Sequence, residues 1–225
     1  MAGSAVVPLC HSERVPAETT SPRLTSKFVE AVQYAAEKHG TQTRKGSDIP
    51  YLGHLLSVAG LVIEADGTET QAIAALLHDA AEDQGGEETL AEIRDKFGAE
   101  VAEIVSECSD TFETPKPPWR ERKESYIRHL PDASDGAILV SLADKLHNAR
   151  ALLRDFRVHG DELWRRFTVQ DPQLHLWYYR SLLEVYAERI NNWMVDELRD
   201  VIDALEDAIR QSAFRQIEDQ RLGSE

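Results

Sequence analysis

The sequence predicts an all-α fold, a compact multi-helix bundle built around one principal domain. Apolar residues recur at helical spacing in successive segments, and capping residues or Gly and Pro breakers separate these segments. No stretch alternates apolar and polar residues over a length typical of a strand, and no internal repeat is evident. The composition, 42% hydrophobic and 29% charged over 225 residues, is that of one ordinary globular domain.

The predicted helices follow one another from residue 25 to residue 209. Thr25 can cap the first helix, and Gly40 is a natural stop. The third helix opens at the capping-box pattern Thr68-Glu69-Thr70-Gln71 and is expected to end at Gly85-Gly86. A Pro-rich loop, 114–119, precedes a charged helix. The expected helices are 25–40, 51–64, 68–84, 89–97, 100–109, 119–129, 137–158, 174–190 and 195–209.

The two ends of the chain are expected to lie outside the folded domain. Residues 1–24 are rich in Ser, Pro, Thr and Ala and lack sustained apolar periodicity, which predicts a flexible N-terminal tail. Residues 212–225 are expected to form a polar C-terminal tail. The predicted folded domain therefore spans residues 25–211.

The charge and cysteine content restrict the classes of partner. A formal net charge of -15, from 40 acidic and 25 basic residues, disfavours binding to nucleic acid or to an anionic membrane. No apolar run approaches the roughly 18 residues of a membrane span, and the N-terminus lacks the features of a secretion signal. Cys10 and Cys108 offer no disulfide framework, and Cys108 is expected to be an inert, buried thiol. These features predict a cytoplasmic protein.

Four residues on three predicted helices form a candidate metal-ligand set: His54, His78, Asp79 and Asp144. An isolated His-Asp pair is more often capped or solvated than metal-bound. Here, however, both aspartates interrupt apolar stripes, where an ionised carboxylate is costly unless it is paired or coordinated. Mixed nitrogen and oxygen ligands favour a hydrolytic divalent ion. Mn²⁺ is the best candidate, and Mg²⁺, Fe²⁺ and Zn²⁺ are the alternatives.

An acidic pair, Glu82 and Asp83, follows the His-Asp pair by one helical turn. Residues four apart share a helix face, so the acids are expected beside the metal ligands. The ordinary interpretation is a solvated helix end. Because acids are unfavourable near a helix C-terminus, a second interpretation is that this pair handles the proton of an attacking water.

Further polar and aromatic residues are weaker candidates. Arg44 and Lys45 lie in the loop before His54, where a phosphorylated substrate could enter, whereas the basic residues from 116 to 123 are interpreted as surface. Among the other histidines only His147, one turn from Asp144, is a weak candidate for supporting a ligand. The cluster Trp177-Tyr178-Tyr179 is more typical of helix packing than of ligand binding.

Several motifs occur together in a fixed order. They are Arg44-Lys45, Pro50-Tyr51-Leu52-Gly53-His54, Ala74-Ala75-Leu76-Leu77-His78-Asp79 with Glu82-Asp83, Phe97-Gly98 with Val101, and Leu142-Ala143-Asp144-Lys145-Leu146-His147-Asn148-Ala149-Arg150. With these motifs, residues 25–210 resemble the HD-domain phosphohydrolases, and within them the alarmone hydrolase domain of the RelA/SpoT homologue family, especially its stand-alone small alarmone hydrolases.

The resemblance implies a Mn²⁺-dependent enzyme that removes the 3′-pyrophosphate from guanosine tetra- or pentaphosphate. It implies that His54, His78, Asp79 and Asp144 are the metal ligands. It also implies that Glu82 and Asp83 activate water, that Arg44 and Lys45 contact base and phosphates, and that Asn148 contacts the nucleotide.

Some positions depart from the family pattern. Leu55 and Leu56 differ from the residues common after the first histidine, and the Pro-rich stretch is unlike the expected connection, so adenosine alarmones, (pp)pApp, stay as alternative substrates. Two further alternatives are an HD-type phosphatase or phosphodiesterase acting on another nucleotide such as NADPH, and a non-catalytic alarmone sensor. The sequence leaves the oligomeric state open.

Overall fold

The computed structural model describes residues 24–113 and 115–222, and these residues form an all-helical fold. Within those ranges there is no strand, and one isolated bridge joins Thr43 to Pro50. The described α-helices are α1 (Ser26–Lys38), α2 (Leu52–Glu64), α3 (Glu69–Leu77), α4 (Ala80–Asp83), α5 (Gly86–Phe97), α6 (Ala99–Cys108), α7 (Trp119–His129), α8 (Asp135–His159), α9 (Pro172–Arg189) and α10 (Trp193–Leu222). Short 3-10 helices follow α7 and α8.

The predicted fold class is confirmed, and most helix ends agree with the sequence. Thr25 caps α1 and accepts a hydrogen bond from the Lys27 amide. The capping box that opens α3 is present, since the side chains of Thr68 and Gln71 each accept from the other's backbone amide. Polar side chains thus stabilise both helix starts by satisfying amides that have no partner within the helix.

One predicted helix is wrong, because the segment that was expected to continue to Gly85-Gly86 breaks after Leu77. His78 and Asp79 form a turn, and the four-residue α4 follows. In a continuous helix, consecutive side chains diverge by about 100°. The turn instead lets the two adjacent side chains reach the same cluster. As a result, Glu82 and Asp83 do not share one helix with His78.

The chain ends also differ in part from expectation. Helix α10 continues to Leu222, through most of the segment that the sequence assigns to a polar tail. Among the α10 side chains whose burial is described, Ile209 is the last buried one, and Phe214 beyond it is exposed. Residues 1–23, which include most of the predicted N-terminal tail, Cys10 and His11, lie outside the described residues.

The 25-residue helix α8 is the centre of the bundle. It packs against α2, α3, α6, α9 and α10, and its consecutive residues from Ala137 to Asp144 are all buried, so this part of the helix is enclosed on every side. Its first turn is capped by Ser134, whose hydroxyl in turn donates to Glu107 of α6. Since α8 carries Asp144 and touches both α2 and α3, its position brings the predicted ligands of three helices together.

The turn between α2 and α3 requires a glycine. A Cβ at Gly67 would lie 2.6 Å from a Val62 side-chain carbon and 2.7 Å from the Val62 carbonyl oxygen. This close approach lets α3 fold back directly along α2, so that His54 and His78 face each other. Within the part of the chain that the structure describes, no helix combines the length and the apolar character needed to cross a bilayer.

Candidate metal centre and its pocket

Three buried side chains converge between α2, α3 and α8. One nitrogen each of His54 and His78 and one oxygen of Asp144 lie within 4.8 Å of one another. The Nε2 atoms of His54 and His78 are 3.1 Å and 3.5 Å from the Oδ1 atom of Asp144. Two imidazoles and a carboxylate at this spacing are a donor set suited to a divalent transition metal ion.

Asp79 lies at the edge of the same cluster. Its Oδ2 atom is 3.0 Å from His78 Nε2 and 3.7 Å from His54 Nε2, and its side chain is 23% exposed. The hydroxyl of Tyr51 donates to this oxygen at 2.5 Å. The structure therefore brings together all four predicted ligands, with Asp79 on the side that faces solvent.

The carboxylates make the cluster favourable for positive charge. Burial alone would lower the pKa of His78, but Asp79 and Asp144 outweigh it and hold that pKa well above its usual value. Burial likewise opposes ionisation of Asp144, yet Lys145 and the imidazoles keep its pKa well below its usual range. The pKa of Asp79 is lowered in the same way, against burial, chiefly by His78. The two ionised carboxylates therefore make the cluster a favourable place for a positive charge.

Two buried imidazole nitrogens of the cluster test whether these residues fit a metal ion. The Nε2 atoms of His54 and His78 are buried and, among the described residues, have no aligned hydrogen-bond partner. Carboxylate oxygens of Asp144 and Asp79 lie close to these nitrogens, at 3.1 Å from His54 and 3.0 Å from His78, but form no hydrogen bond with them. Orphaned buried nitrogens are costly in a protein interior unless something else satisfies them. The residues present thus fit a coordinated cation.

Residues around the cluster fix the ligand side chains. His78 donates through Nδ1 to the Ala75 carbonyl at 2.8 Å. The two oxygens of Asp144 have different partners, because Oδ2 accepts from Lys145 at 2.6 Å and Oδ1 accepts from Asn148 at 2.6 Å. Lys145 is itself packed over the Tyr126 ring, with 5.3 Å between the ammonium nitrogen and the ring centroid. Such contacts hold ligands in a fixed orientation.

The cluster opens into a cavity of about 770 Å³. This volume is in the range of ligand pockets of small molecules. The remaining residues that the sequence singles out also line it: Arg44, Lys45, Glu82, Asp83 and Asn148.

Both acids of the pair on α4 face this cavity. Glu82 accepts from the Lys116 ammonium and from the Asp110 amide, each at 2.8 Å. Asp83 accepts from the Gln42 amide nitrogen at 2.9 Å. The pair lines the pocket from a separate short helix, and the two acids are held by groups from the loops on either side.

Arg44 and Asn148 form a second polar contact in the pocket. The Arg44 guanidinium donates to the Asn148 side-chain oxygen at 2.7 Å and stacks over the Tyr51 ring at 5.6 Å from its centroid. Asn148 in turn donates to Asp144, so this contact is continuous with the candidate metal centre. Lys45 lines the cavity beside Arg44.

Several pocket residues are not identified by the sequence. Lys116, Arg122 and Lys123 were expected at the surface, but all three line the cavity, where Lys116 pairs with Glu82 and the other two pair with Asp110. Their partners are distant in sequence, so no local pattern marks them. Tyr51 was also missed, although its position three residues before His54 places both on one helix face.

The other expectations have mixed outcomes. Tyr178 and Tyr179 line the cavity as well as packing in the core, and the Tyr178 hydroxyl is buried without a hydrogen-bond partner among the described residues. Cys108 is half-buried and lines the cavity, so the expected full burial is wrong; desolvation still raises the pKa of its thiol, which agrees with an inert side chain. His147 contacts His54, so the weak candidate for supporting a ligand is in a position to do so.

Comparisons with known proteins agree with this geometry. Residues 31–168 match the HD domain family. The chain belongs to the HD-domain family. The matched segment of this HD-domain protein contains all four candidate ligands, the acidic pair and most of the pocket.

Two curated relatives indicate which proteins within the HD-domain family this chain is similar to. This HD-domain chain is 41% identical over 147 residues to the guanosine-3′,5′-bis(diphosphate) 3′-pyrophosphohydrolase MESH1 of Xenopus tropicalis, covering 64% of this chain and 77% of the relative. It is 38% identical over 149 residues to MESH1 of Homo sapiens, covering 65% and 78%. The resemblance to small alarmone hydrolases is thereby confirmed.

Two solved structures resemble this HD-domain chain. One is described as a metazoan ortholog of SpoT that hydrolyzes ppGpp. It has a TM-score of 0.62 and 30% identity, covering 83% of this chain and 96% of that one. The other, the protein lmo0812 of Listeria monocytogenes, has a TM-score of 0.58 and 29% identity, covering 66% and 96%.

Proposed function

We propose that this protein is a metal-dependent pyrophosphohydrolase that removes the 3′-pyrophosphate from nucleotide alarmones, with (p)ppGpp as the first candidate substrate. The observation that carries the proposal is the buried His54, His78 and Asp144 cluster, which opens into a cavity lined by an acidic pair and by basic side chains. Relatives named as guanosine-3′,5′-bis(diphosphate) 3′-pyrophosphohydrolases support the substrate class.

In this proposal His54, His78, Asp79 and Asp144 hold the ion, and Mn²⁺ is the preferred candidate. Imidazole and carboxylate donors together suit Mn²⁺ or a similar divalent ion, whereas a structural zinc site would be expected to have thiolate donors. A bound divalent ion supplies Lewis acidity toward the phosphoryl group and the attacking water. Lys145 donates to Oδ2 of Asp144 and Asn148 donates to Oδ1, and these two contacts orient the carboxylate so that Oδ1 faces the cluster.

Glu82 and Asp83 are proposed to handle the proton. Water attacks the phosphorus that is bonded to the ribose O3′ atom, the P–O3′ bond breaks, and pyrophosphate leaves. The acidic pair takes the proton that the water loses and returns a proton to O3′ as the P–O3′ bond breaks, which leaves GDP or GTP with a free 3′-hydroxyl. Both carboxylates face the cavity beside the cluster, as a general base requires.

Arg44, Lys45 and Asn148 are proposed to bind the nucleotide. Arg44 presents a planar guanidinium that can stack on a base or pair with phosphate. Lys116, which the structure adds to the pocket, is placed to neutralise phosphate oxygens next to Glu82. The substrate is a small molecule, and the acidic net charge argues against nucleic acid or anionic membrane partners. The low cysteine content suits the reducing interior of a cell, in line with a cytoplasmic protein. The proposed catalytic domain spans residues 25–211.

A chromatographic product assay tests this function. The protein with Mn²⁺ is offered ppGpp, pppGpp, ppApp and NADPH separately, and nucleotide products and pyrophosphate are quantified. Pyrophosphate together with GDP or GTP is expected from the guanosine alarmones. Asp79→Ala serves as the inactive control.

The other outcomes of the assay separate the alternatives. Pyrophosphate release from ppApp alone would change the base, and phosphate release from NADPH alone would make the chain a different HD-type phosphatase. Tight binding of ppGpp with no product in the presence of Mn²⁺ would contradict an enzyme and favour a sensor.

A further inference from the structure

We infer that His147 is a positioning residue that orients His54 in the candidate metal centre through a direct imidazole-to-imidazole hydrogen bond. The inference rests on the proposed function, because it assigns a role in holding the ion that the proposal requires. His147 is not among the proposed metal ligands, acid/base groups or nucleotide contacts.

The distance between the two rings defines the bond. The Nδ1 atoms of His54 and His147 are 2.8 Å apart, and the ring centroids are 4.8 Å apart. Two imidazole nitrogens at this distance must share one proton, so one ring donates and the other accepts. The side chain of His54 is fully buried, so no water competes for that nitrogen.

The metal-binding role of His54 decides which ring donates. Its Nε2 atom faces the cluster, 3.1 Å from Asp144 Oδ1, and a ligand nitrogen needs a free lone pair. The single proton of neutral His54 must then lie on Nδ1, which donates to Nδ1 of His147. The proton of His147 therefore lies on its Nε2 atom. One bond thus fixes the tautomers of both rings.

The two candidate imidazole ligands are oriented by different kinds of acceptor. His78 donates through Nδ1 to the Ala75 carbonyl within its own helical segment, and no substitution of a side chain removes that acceptor. His54 depends instead on a side chain from another helix. His147 lies on α8 one turn after Asp144, so α8 supplies both a ligand and the residue that positions the ligand on α2.

Mn²⁺ affinity measured by titration calorimetry on the full chain tests the inference. His147→Leu removes the acceptor at similar volume, and the affinity is expected to fall about 10- to 100-fold, as for other residues that orient metal ligands. His147→Gln is expected to retain most of the affinity, because its amide oxygen can accept from His54. His129→Leu, at an exposed histidine of α7, is the matched control and should bind as the wild type does.

A second measurement does not depend on activity or on the Leu variant folding. Long-range ¹⁵N–¹H NMR correlations of the Zn²⁺-loaded wild type should show a protonated Nδ1 on His54 and a protonated Nε2 on His147. The reverse tautomer of His54, or wild-type Mn²⁺ affinity in a folded His147→Leu variant, would overturn the inference alone. Failure of the wild type to bind any divalent ion would overturn the proposed function and the inference with it.

Discussion

Asp144 shows how single residues organise this site. Its carboxylate lies in the apolar centre of α8, where it is stable because Lys145 pairs with one oxygen and Asn148 donates to the other. The second oxygen also faces both histidines of the cluster. A buried charge with several partners is conformationally restricted, and removal of one partner leaves the others uncompensated. The geometry of the metal centre therefore depends on residues that would not themselves bind the ion.

At the residue scale, Glu82→Gln separates proton handling from metal binding. The amide cannot take a proton from water, so kcat is expected to fall about 10²- to 10⁴-fold. Mn²⁺ affinity should be unchanged, because Glu82 is bound to Lys116 and to the Asp110 amide and is not part of the cluster. Steady-state kinetics and calorimetry measure the two effects.

Glu124→Gln is the matched control for that variant. Glu124 pairs with Arg120 on the exposed side of α7, so its substitution should leave kcat unchanged. Wild-type kcat in Glu82→Gln would remove this residue from the mechanism.

His175 gives a prediction about pH and stability. Burial lowers its pKa in the folded protein, against the opposing effect of a hydrogen bond from Nε2 to the Val169 carbonyl. The unfolded chain thus binds this proton more readily, so the contribution of His175 to the free energy of unfolding decreases as the pH falls below about 6.5. His175→Phe keeps an aromatic ring against Trp164 and Phe167, and its unfolding free energy should decrease less between pH 7 and pH 5.

Urea denaturation at each pH measures this difference. Parallel pH profiles for the wild type and His175→Phe would show that the folded protein does not disfavour the proton on His175.

The residues that the sequence could and could not predict differ in a physical way. Asp79 and Asp144 were predictable because a carboxylate within an apolar stripe needs a compensating partner, and that conflict is visible in the sequence itself. The contacts of Lys116 with Glu82 and of Tyr51 with Asp79 join residues 34 and 28 positions apart. Only the packed fold brings such pairs together, so no local pattern identifies Lys116 as the partner of Glu82 or Tyr51 as the partner of Asp79.

At the scale of elements, the break between α3 and α4 determines the shape of the site. The sequence predicted the start of α3 correctly because capping is a local interaction. It predicted the end wrongly because the turn at His78 and Asp79 serves contacts with α2 and α8, which local propensity does not contain. The consequence is that His78 and Asp79 lie in the turn, whereas the acidic pair lies on the short helix α4 that follows it. The orientation of the acidic pair relative to these two ligands therefore depends on the turn.

Thr68→Ala tests whether the local capping interaction stabilises the start of α3. Loss of the capping box that opens α3 should lower the free energy of unfolding by about 0.5–2 kcal/mol. Urea denaturation measures the loss, and Thr70→Ala, which lies in the same helix without a cap contact, is the control. Equal stability of the two variants would show that tertiary packing alone holds the start of α3.

At the scale of the whole molecule, the candidate metal centre links three helices of the bundle. An ion held by α2, the turn after α3 and α8 binds the folded protein and not the unfolded chain, so it must add to stability. The sequence predicted this convergence from the placement of four residues, but not the extension of α10 or the basic residues of the pocket. Those features depend on how distant helices pack.

Mn²⁺ at about 100 times its dissociation constant should stabilise the protein by roughly 2.7 kcal/mol. Differential scanning calorimetry should show a rise in Tm that a chelator reverses, and His78→Ala should show little or no rise. A wild-type Tm that does not respond to Mn²⁺ would mean that no ion bridges the three helices.

The position of the ion itself tests the central claim most directly. Crystals of the wild-type protein grown with Mn²⁺ and measured at the manganese absorption edge should give one strong anomalous peak per chain between His54 Nε2, His78 Nε2 and Asp144 Oδ1, with Asp79 beside it. An anomalous peak found only at other sites would contradict the account. So would the absence of any peak, if the protein still releases pyrophosphate from ppGpp when a chelator is present.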